Sequence, residues 1–300
     1  MNQTEQSRTR IGIAYALAAF SSWGLNPFYF KAVAYIPTFE ILGHRIVWSM
    51  LFLLPLILFS RQWPQVTKAL TNPKTLITLA ATSIIVGANW LLYIHTVEVG
   101  RVLQSSLGYY MNPLVNVLLG RVFLGERLSG AQAVAVLLAA AGVLNLAIAY
   151  GEVPWLGLGL AGTFAIYGLL RKIVAVEALP GLFIETAMLF PFAAGALIDH
   201  PGSFGRIDGV ADLFLILAGP VTFLPLLWFT SAARRLKLSV LGFFQFISPS
   251  CQFLLAIFVF GEHFGPAPLR DLRPDLDRHH DLRARTPIPT RTGGDLSDAA

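Results

Sequence analysis

Nine apolar runs, each close to the length of a membrane-crossing helix, occupy most of this 300-residue sequence. The hydrocarbon core of a bilayer takes about 20 apolar residues to cross as an α-helix, and backbone groups in lipid must satisfy their hydrogen bonds within the segment. Charged residues make up 13% of the chain, about half the share of a soluble domain. These features predict an all-α polytopic membrane protein. The runs cover residues 11–30, 39–59, 75–96, 102–124, 131–149, 155–172, 180–198, 212–232 and 238–260.

The connections between the runs are short, as at 60–74 and 150–154, and leave no room for a soluble domain. With the N-terminus placed inside, eleven Lys and Arg residues fall in the inner loops and three in the outer loops before the tail. The positive-inside rule then predicts a cytoplasmic N-terminus. The net charge of +5 therefore does not indicate nucleic acid as a partner. The first run lacks a small-residue cleavage site, so we expect it to remain as the first span.

Two segments 136 residues apart repeat each other. Pro113 is followed twelve residues later by Gly125-Glu126, and Pro249 is followed by Gly261-Glu262 at the same spacing. A unit of five spans makes the second copy run upside down relative to the first. Many secondary transporters have such inverted repeats, whose two halves rock around a site near the bilayer midplane. We predict repeats at residues 1–150 and 151–268, with a chance match of two apolar helices as the alternative.

Short motifs spread along the chain indicate a family. They are Glu40-Ile41-Leu42, His44-Arg45, Trp48-Ser49, Asn89-Trp90-Leu91, Ser106-Leu107-Gly108-Tyr109-Tyr110, Asn112-Pro113-Leu114-Val115-Asn116, Leu124-Gly125-Glu126-Arg127, Tyr167-Gly168, Arg171-Lys172 and Leu241-Gly242-Phe243-Phe244-Gln245 with Pro249. From residue 10 to residue 268 the chain resembles the RarD group of EamA-type permeases, in the drug/metabolite transporter superfamily. The resemblance implies a ten-helix bacterial inner-membrane permease built from two inverted five-helix repeats. Family members carry a chloramphenicol-sensitive or resistance-permease label, without a well-defined substrate.

Polar and aromatic residues form a stripe near the start of the second run. Glu40, His44 and Trp48 are spaced four residues apart and share one helix face, with Arg45 beside them. Ionisable side chains within spans are costly and usually face a cavity or a partner. One interpretation is a solute or proton site near the outer vestibule. In it, His44 gains and loses a proton, the charge of Glu40 influences that protonation, and Trp48 stacks on a ring of the solute. The other is that Arg45 snorkels to lipid headgroups and Glu40 marks the loop end.

A second group of candidate transport-path residues lies in the third, fourth and ninth runs. Pro113 and Pro249 each remove a helical hydrogen bond and are predicted to break their helices, which frees carbonyl groups beside a cavity. Interrupted helices at corresponding places in two halves indicate a central site. The alternative is polar contact between helices, worth about 1 kcal/mol each. The candidates are Asn89, Trp90, Tyr109, Tyr110, Asn112 and Gln245.

The remaining sequence features indicate helix ends and helix packing, or show that known enzyme motifs are missing. Gly125 is expected to end its helix, with Glu126 at the interface. Small residues at 139–142 suit close packing and a homodimer face. The sequence contains no phosphate-binding glycine loop, spaced histidine pair or nucleophile elbow, so we expect no enzymatic activity, metal or cofactor. Cys251 is the single cysteine and permits no internal disulfide.

The chain changes character after residue 268. Residues 269–300 hold six Arg, six Asp and no aromatic residue, so they cannot span a membrane and are expected to be disordered. The tenth span of the second repeat is thus replaced by a polar tail, which leaves nine spans. One interpretation is a natural tail. The other, which we favour, is a frameshift near residue 268. When the reading frame moves by one base, an Asp or His codon that precedes a codon starting with C is read as a Thr or Ile codon, so a polar run rich in Asp and His can arise from an apolar helix.

Together these patterns predict a function and leave alternatives. We expect an inner-membrane permease that moves a small organic solute by alternating access, with a link to chloramphenicol implied by the resemblance. The alternatives are a structural or assembly membrane protein, an integral-membrane enzyme, and a transporter inactivated by loss of its tenth span. Polar residues within the runs, such as Asn89 and Gln245, favour transport over a purely structural role.

Overall fold

The computed structural model describes residues 3–99, 101–200 and 202–259, and helices account for most of them. No β-strand occurs among these residues, and the predicted all-α fold class is confirmed. Gly261, Glu262 and the tail 269–300, with the proposed frameshift, lie outside the described residues. The helices are α1 (Gln3–Ala32), α2 (Thr38–Phe59), α3 (Trp63–Thr71), α4 (Pro73–Glu98), α5 (Val102–Leu124), α6 (Gly130–Tyr150), α7 (Trp155–Ile173), α8 (Ala178–Asp199), α9 (Gly209–Ala233), α10 (Leu238–Gln245) and α11 (Ile247–Phe258).

Each apolar run of the sequence coincides with a helix or a pair of helices. In the described part of the chain, six helices are long and apolar enough to cross a membrane by length and composition: α2, α4, α6, α7, α8 and α9. The first and fourth runs correspond to α1 and α5, and the ninth corresponds to α10 and α11 together. The bounds differ from the predicted ones mostly at the first run, where α1 begins at Gln3.

The short helix α3 was not predicted, because its segment was taken as a connection. Pro64 lies in its first turn, where the missing N–H removes no intrahelical bond. Val66 and Ala69 are buried, while the other seven residues are exposed. With nine residues it is too short to span a bilayer, and it packs against α4 and α8. An amphipathic helix of two turns has too few apolar positions to separate it from a loop by periodicity.

The helical hydrogen-bond pattern of the ninth run is interrupted at one residue, Phe246, whose backbone stays right-handed helical at φ −64° and ψ −19°, whereas the fourth run is a single helix. α10 ends at Gln245 and α11 begins at Ile247, with Pro249 in its first turn. Pro249 has no N–H for the carbonyl of Gln245, four residues earlier, so a helix end at this point is consistent with proline chemistry. α5 remains a single helix that contains Pro113. The break expected at Pro113 is therefore absent, which shows that one missing hydrogen bond can be absorbed within a packed helix.

The main helix contacts run between the two halves of the chain. α1 packs on α9 and α11, α2 on α8 and α9, α4 on α7 and α8, and α5 on α7 and α10. A close backbone approach joins α5 to α7, where a Cβ on Gly157 would collide with the carbonyl oxygen of Gln104. A residue with a side chain there would force the two helices apart. The core between the halves includes fully buried Tyr167 and Phe229, whose rings stack 6.2 Å apart.

Candidate functional site

A cavity of 380 Å³ lies between helices of both halves, with walls from α1, α2, α4, α5, α7, α9, α10 and α11. This volume is near the lower end of small-molecule pockets, which span roughly 300 to 1,000 Å³. Most of the lining side chains are apolar or aromatic. The cavity brings together seven of the residues singled out from the sequence: Arg45, Asn89, Trp90, Tyr109, Asn112, Gln245 and Pro249. The other five are not part of its lining: Glu40, His44, Trp48, Tyr110 and Pro113.

Arg45 is the one charged side chain among the described residues that line the cavity. Its Nε donates a hydrogen bond to Thr222 Oγ1 on α9 at 2.7 Å. Its guanidinium carbon lies 5.9 Å from the ring centre of Phe30 and 5.4 Å from that of Trp90, within the range of cation–π contacts. In the described ranges, Arg45 forms no ion pair with a carboxylate. The cavity wall therefore carries a positive charge without a counter-charge.

Amide side chains of α5 and α10 form a second polar part of the wall. Asn116 Nδ2 donates to Gln245 Oε1 at 2.7 Å and to Asn112 Oδ1 at 3.2 Å. Gln245 Nε2 is buried and has no hydrogen-bond partner among the described residues. An unpaired buried donor costs about 1–3 kcal/mol.

Aromatic rings of α1, α4 and α7 make the apolar part of the wall. Trp23 meets Phe164 edge to face, with ring centres 5.7 Å apart, and both line the cavity. Such pairs hold their rings in fixed positions and present faces for a flat apolar group. Asn89 on α4 uses its Nδ2 in hydrogen bonds to Leu160 O at 3.0 Å and Thr163 Oγ1 at 2.7 Å. This amide therefore links α4 to α7 beside the rings.

The stripe of Glu40, His44 and Trp48 binds the loop between α8 and α9. Glu40 Oε1 accepts the backbone N–H of Ser203, and Oε2 accepts its hydroxyl at 3.1 Å. Trp48 Nε1 donates to His44 Nδ1 at 3.2 Å. The ring of Phe204 lies 5.2 Å from that of His44 and 6.0 Å from that of Trp48. The stripe and the cavity thus occupy different faces of α2, with Arg45 on the cavity side.

Sequence reasoning missed several residues of the cavity wall. Three of them, Trp23, Asn26 and Phe30, lie three and four residues apart on α1 and so share one helix face. That spacing was a usable signal in the first run. Tyr93, Thr222 and Gln252 also line the cavity. They follow no distinctive pattern, and their roles depend on which faces of α4, α9 and α11 meet the other helices.

The cavity lies toward one end of the bundle, and the opposite end is closed by polar contacts. The walls include the C-terminal halves of α1 and α4 and the N-terminal halves of α2, α5 and α7, which are the halves nearer the predicted outer face. At the other end, Glu126 accepts the N–H groups of Leu238 and Ser239 at 2.7 and 2.9 Å. Lys172 Nζ donates to the carbonyl of Ala233 at 3.0 Å.

Sequence comparison identifies the family. Residues 10–148 match the profile described as the EamA-like transporter family. Over 262 residues the chain is 49% identical to Protein RarD of Salmonella typhimurium, an alignment that covers 86% of this chain and 89% of that protein. The chain belongs to the EamA-like transporter family. The family resemblance drawn from the motifs is confirmed, and membership makes the chain a multi-pass membrane permease.

Two further similarities extend the comparison. The chain is 31% identical over 270 residues to the Chloramphenicol-sensitive protein RarD of Pseudomonas aeruginosa, covering 88% of this chain and 90% of that one. One solved crystal structure superimposes on this chain with a TM-score of 0.66 at 19% sequence identity, and the superposition covers 89% of this chain and 92% of that chain. At this identity the second similarity concerns the fold alone. Both cover more of the sequence than the family profile does.

Proposed function

We propose that this EamA-like permease carries a small organic solute across the bacterial inner membrane by alternating access, with the cavity around Arg45 as the solute site. The observation that carries the proposal is the position of the cavity. It lies between helices of both predicted repeats and toward one end, while polar contacts close the other end. A purely structural membrane protein gains nothing from a cavity of 380 Å³, because empty space lowers packing stability.

The pairing of the helices supports two inverted repeats at residues 1–150 and 151–268. In such repeats α1, α2, α4 and α5 correspond to α7, α8, α9 and α10–α11. If each helix is replaced by its counterpart, the packed pair α1 and α9 becomes α7 and α4, and the pair α2 and α9 becomes α8 and α4. The pair α5 and α7 becomes α11 and α1. Each of the resulting pairs is in contact. The pairs α2 with α8 and α5 with α10 map onto themselves, and both are in contact. Repeats of this kind can exchange conformations to move the opening.

The orientation follows from the charged loops. With the N-terminus in the cytoplasm, the cavity faces the outer side and the closing contacts of Glu126 and Lys172 face the inner side. This conformation is the outward-facing state of the proposed cycle. The inward-facing state would separate Glu126 from the start of α10 and bring the outer ends of the helices together.

Chloramphenicol belongs among the solutes to examine. One relative carries chloramphenicol sensitivity in its name. The compound is a neutral amide with one aromatic ring, which suits the rings of Trp23 and Phe164 in the cavity wall but offers no negative charge to Arg45. Its place in the solute panel rests on the relative's name and on this chemistry.

Single alanine substitutions at Asn112 and Gln245 are expected to lower solute flux by roughly tenfold each, the equivalent of one lost hydrogen bond. The measurement is uptake of a panel of labelled organic solutes, chloramphenicol included, into proteoliposomes that hold the full chain. Protein content and the thermal unfolding midpoint are matched between variants. The flux is read against empty liposomes.

Tyr110→Ala serves as the matched control, since Tyr110 neighbours Tyr109 on α5 but is not part of the cavity lining. Because this half-buried ring lies outside the cavity lining, its loss should leave the flux of correctly folded protein within about twofold of the starting protein. Flux that survives both cavity substitutions at normal protein level would remove the cavity from the transport path. Absence of flux for every solute in the panel would contradict the transport function of this chain.

A further inference from the structure

We infer that the solute of this cavity is an organic anion, a monocarboxylate with an aromatic or apolar body, whose carboxylate binds Arg45. The inference rests on the proposed use of the cavity as a solute site and adds the chemical class. The first observation is the charge of the cavity lining. Among the described lining residues there is one cation and no carboxylate. A cleft that carries charge of one sign concentrates ligands of the opposite sign.

The donors of Arg45 are arranged to leave room for a carboxylate. The Nε–H is used by Thr222, whose own hydroxyl donates to the Ala218 carbonyl at 2.7 Å and so presents a lone pair to Arg45. Phe30 and Trp90 contact the guanidinium at cation–π distances. In the part of the chain that the structure describes, no hydrogen bond uses the two terminal nitrogens of Arg45. Those nitrogens can bind a carboxylate with two parallel bonds.

The cost of the unpaired charge supports the same conclusion. Arg45 is half-buried in the cavity wall, and a charge that is partly removed from water is stabilised by an opposite charge within reach. Glu40, the acidic residue nearest to Arg45 in sequence, is bound to Ser203 and therefore does not serve as the counter-charge. A solute carboxylate would supply it. Binding energy would then come from an interaction that the empty cavity lacks.

The remaining wall limits the rest of the solute. One cation matches one negative charge, and a dianionic phosphate would call for additional cationic groups. The rings of Trp23, Trp90 and Phe164 suit an aromatic or apolar body. A volume of 380 Å³ limits the solute to a small molecule.

The first test compares ligands on the unmodified full chain in detergent. The probes are 3-phenylpropionate, its methyl ester and 3-phenylpropylamine, which share a ring and chain length and differ in charge. Isothermal titration should give a Kd for the acid that is at least about tenfold lower than for the ester, in proportion to a charge-assisted hydrogen bond, and no measurable binding of the amine. Equal affinity for acid and ester, or preference for the amine, would overturn the inference.

The second test uses variants with matched loss of one positive charge. Arg45→Gln should raise the Kd of 3-phenylpropionate by about 10- to 100-fold and leave that of the ester unchanged. Arg101→Gln removes a charge that is 51% exposed and paired with Glu152 at 3.6 Å, and it should leave both unchanged. Arg45→Lys should retain part of the affinity, because it keeps the charge without the two-bond geometry. If Arg101→Gln weakens acid binding as much as Arg45→Gln, the carboxylate is not bound at Arg45.

These outcomes separate the anion class from the transport function. Proteoliposomes that transport neutral aromatic solutes but neither bind nor transport the acid would refute the class and leave the permease intact. Binding of the acid that depends on Arg45 without any flux would support the class and refute transport by this chain. If Arg45→Gln does not fold, the comparison of acid, ester and amine on the unmodified chain still decides the inference.

Discussion

Replacing Glu185 with leucine is expected to remove about 3–5 kcal/mol of stability, the usual result of stripping one partner from a buried ion pair. Arg171 Nε lies 3.5 Å from Glu185 Oε1, and both side chains are 2% exposed or less. Thr82 and Tyr167 donate hydrogen bonds to the two carboxylate oxygens at 2.5 and 3.3 Å. Without Glu185, the Arg171 charge stays buried without a counter-charge. The measurement is thermal unfolding of the purified protein in detergent, with the yield of monodisperse protein as a second readout.

Two variants make this prediction specific to the buried pair. Glu177 forms an ion pair with Arg234 at 3.3 Å on the same end of the bundle, but it is 55% exposed. Glu177→Leu should therefore cost less than about 1 kcal/mol. The double variant with Arg171→Met and Glu185→Leu should recover most of the lost stability, because no unpaired charge is left. The account of this pair fails if Glu185→Leu and Glu177→Leu are equally stable.

Glu126→Ala is expected to cost about 2–4 kcal/mol, which combines a lost helix cap with unsatisfied buried donors. Gly125 ends α5 in the left-handed conformation at φ 62°, as predicted, and places Glu126 against the start of α10. There the carboxylate accepts two backbone N–H groups and the hydroxyl of Ser239 at 2.8 Å. The sequence predicted only that Glu126 lies at the membrane interface that ends its span, and the structure adds a contact with the start of a helix of the other half. Thermal unfolding measures the loss.

Glu152→Ala is the control for this substitution, since it removes the same side chain from a site that is 66% exposed. It should shift the unfolding midpoint by no more than the scatter of surface substitutions, about 0.5 kcal/mol. Glu126→Gln should fall between the two, because an amide oxygen can accept one of the bonds without the charge. A midpoint for Glu126→Ala equal to that of Glu152→Ala would mean that the cap contributes nothing.

Much of the fold could be predicted because a membrane imposes one length and one secondary structure on each apolar run. The helices α2, α4 and α9 follow from run length alone. The same rule gives no information on α3, which is too short to be recognised by length. It also gives none on the effect of proline, since Pro113 lies within a continuous helix and Pro249 beside a break. That difference depends on how the neighbouring helices pack.

The candidate site was predicted in part. The sequence did not predict the rotation of α2 about its axis, which decides the face that meets the cavity. Residues 40, 44 and 48 share a face, and Arg45 points about 100° away from His44 around the helix axis. The sequence singled out both faces but did not contain the information on which one meets the cavity. The structure places Arg45 in the wall and turns His44 toward the 202–208 loop. Thr222 was missed because its role arises from contact with Arg45, a residue 177 positions away.

The measurement that tests the central claim most directly is thiol accessibility of the cavity from both sides of the membrane. Leu226→Cys places a thiol in the cavity wall, and Leu53→Cys places one in the fully buried core; both are made in a chain whose Cys251 is replaced by alanine. With a membrane-impermeant thiol reagent, the cavity thiol should react from the outer face in spheroplasts and, more slowly, from the inner face in inside-out vesicles. The core thiol should react from neither. Reaction of the cavity thiol from one face alone, or from neither, would contradict alternating access.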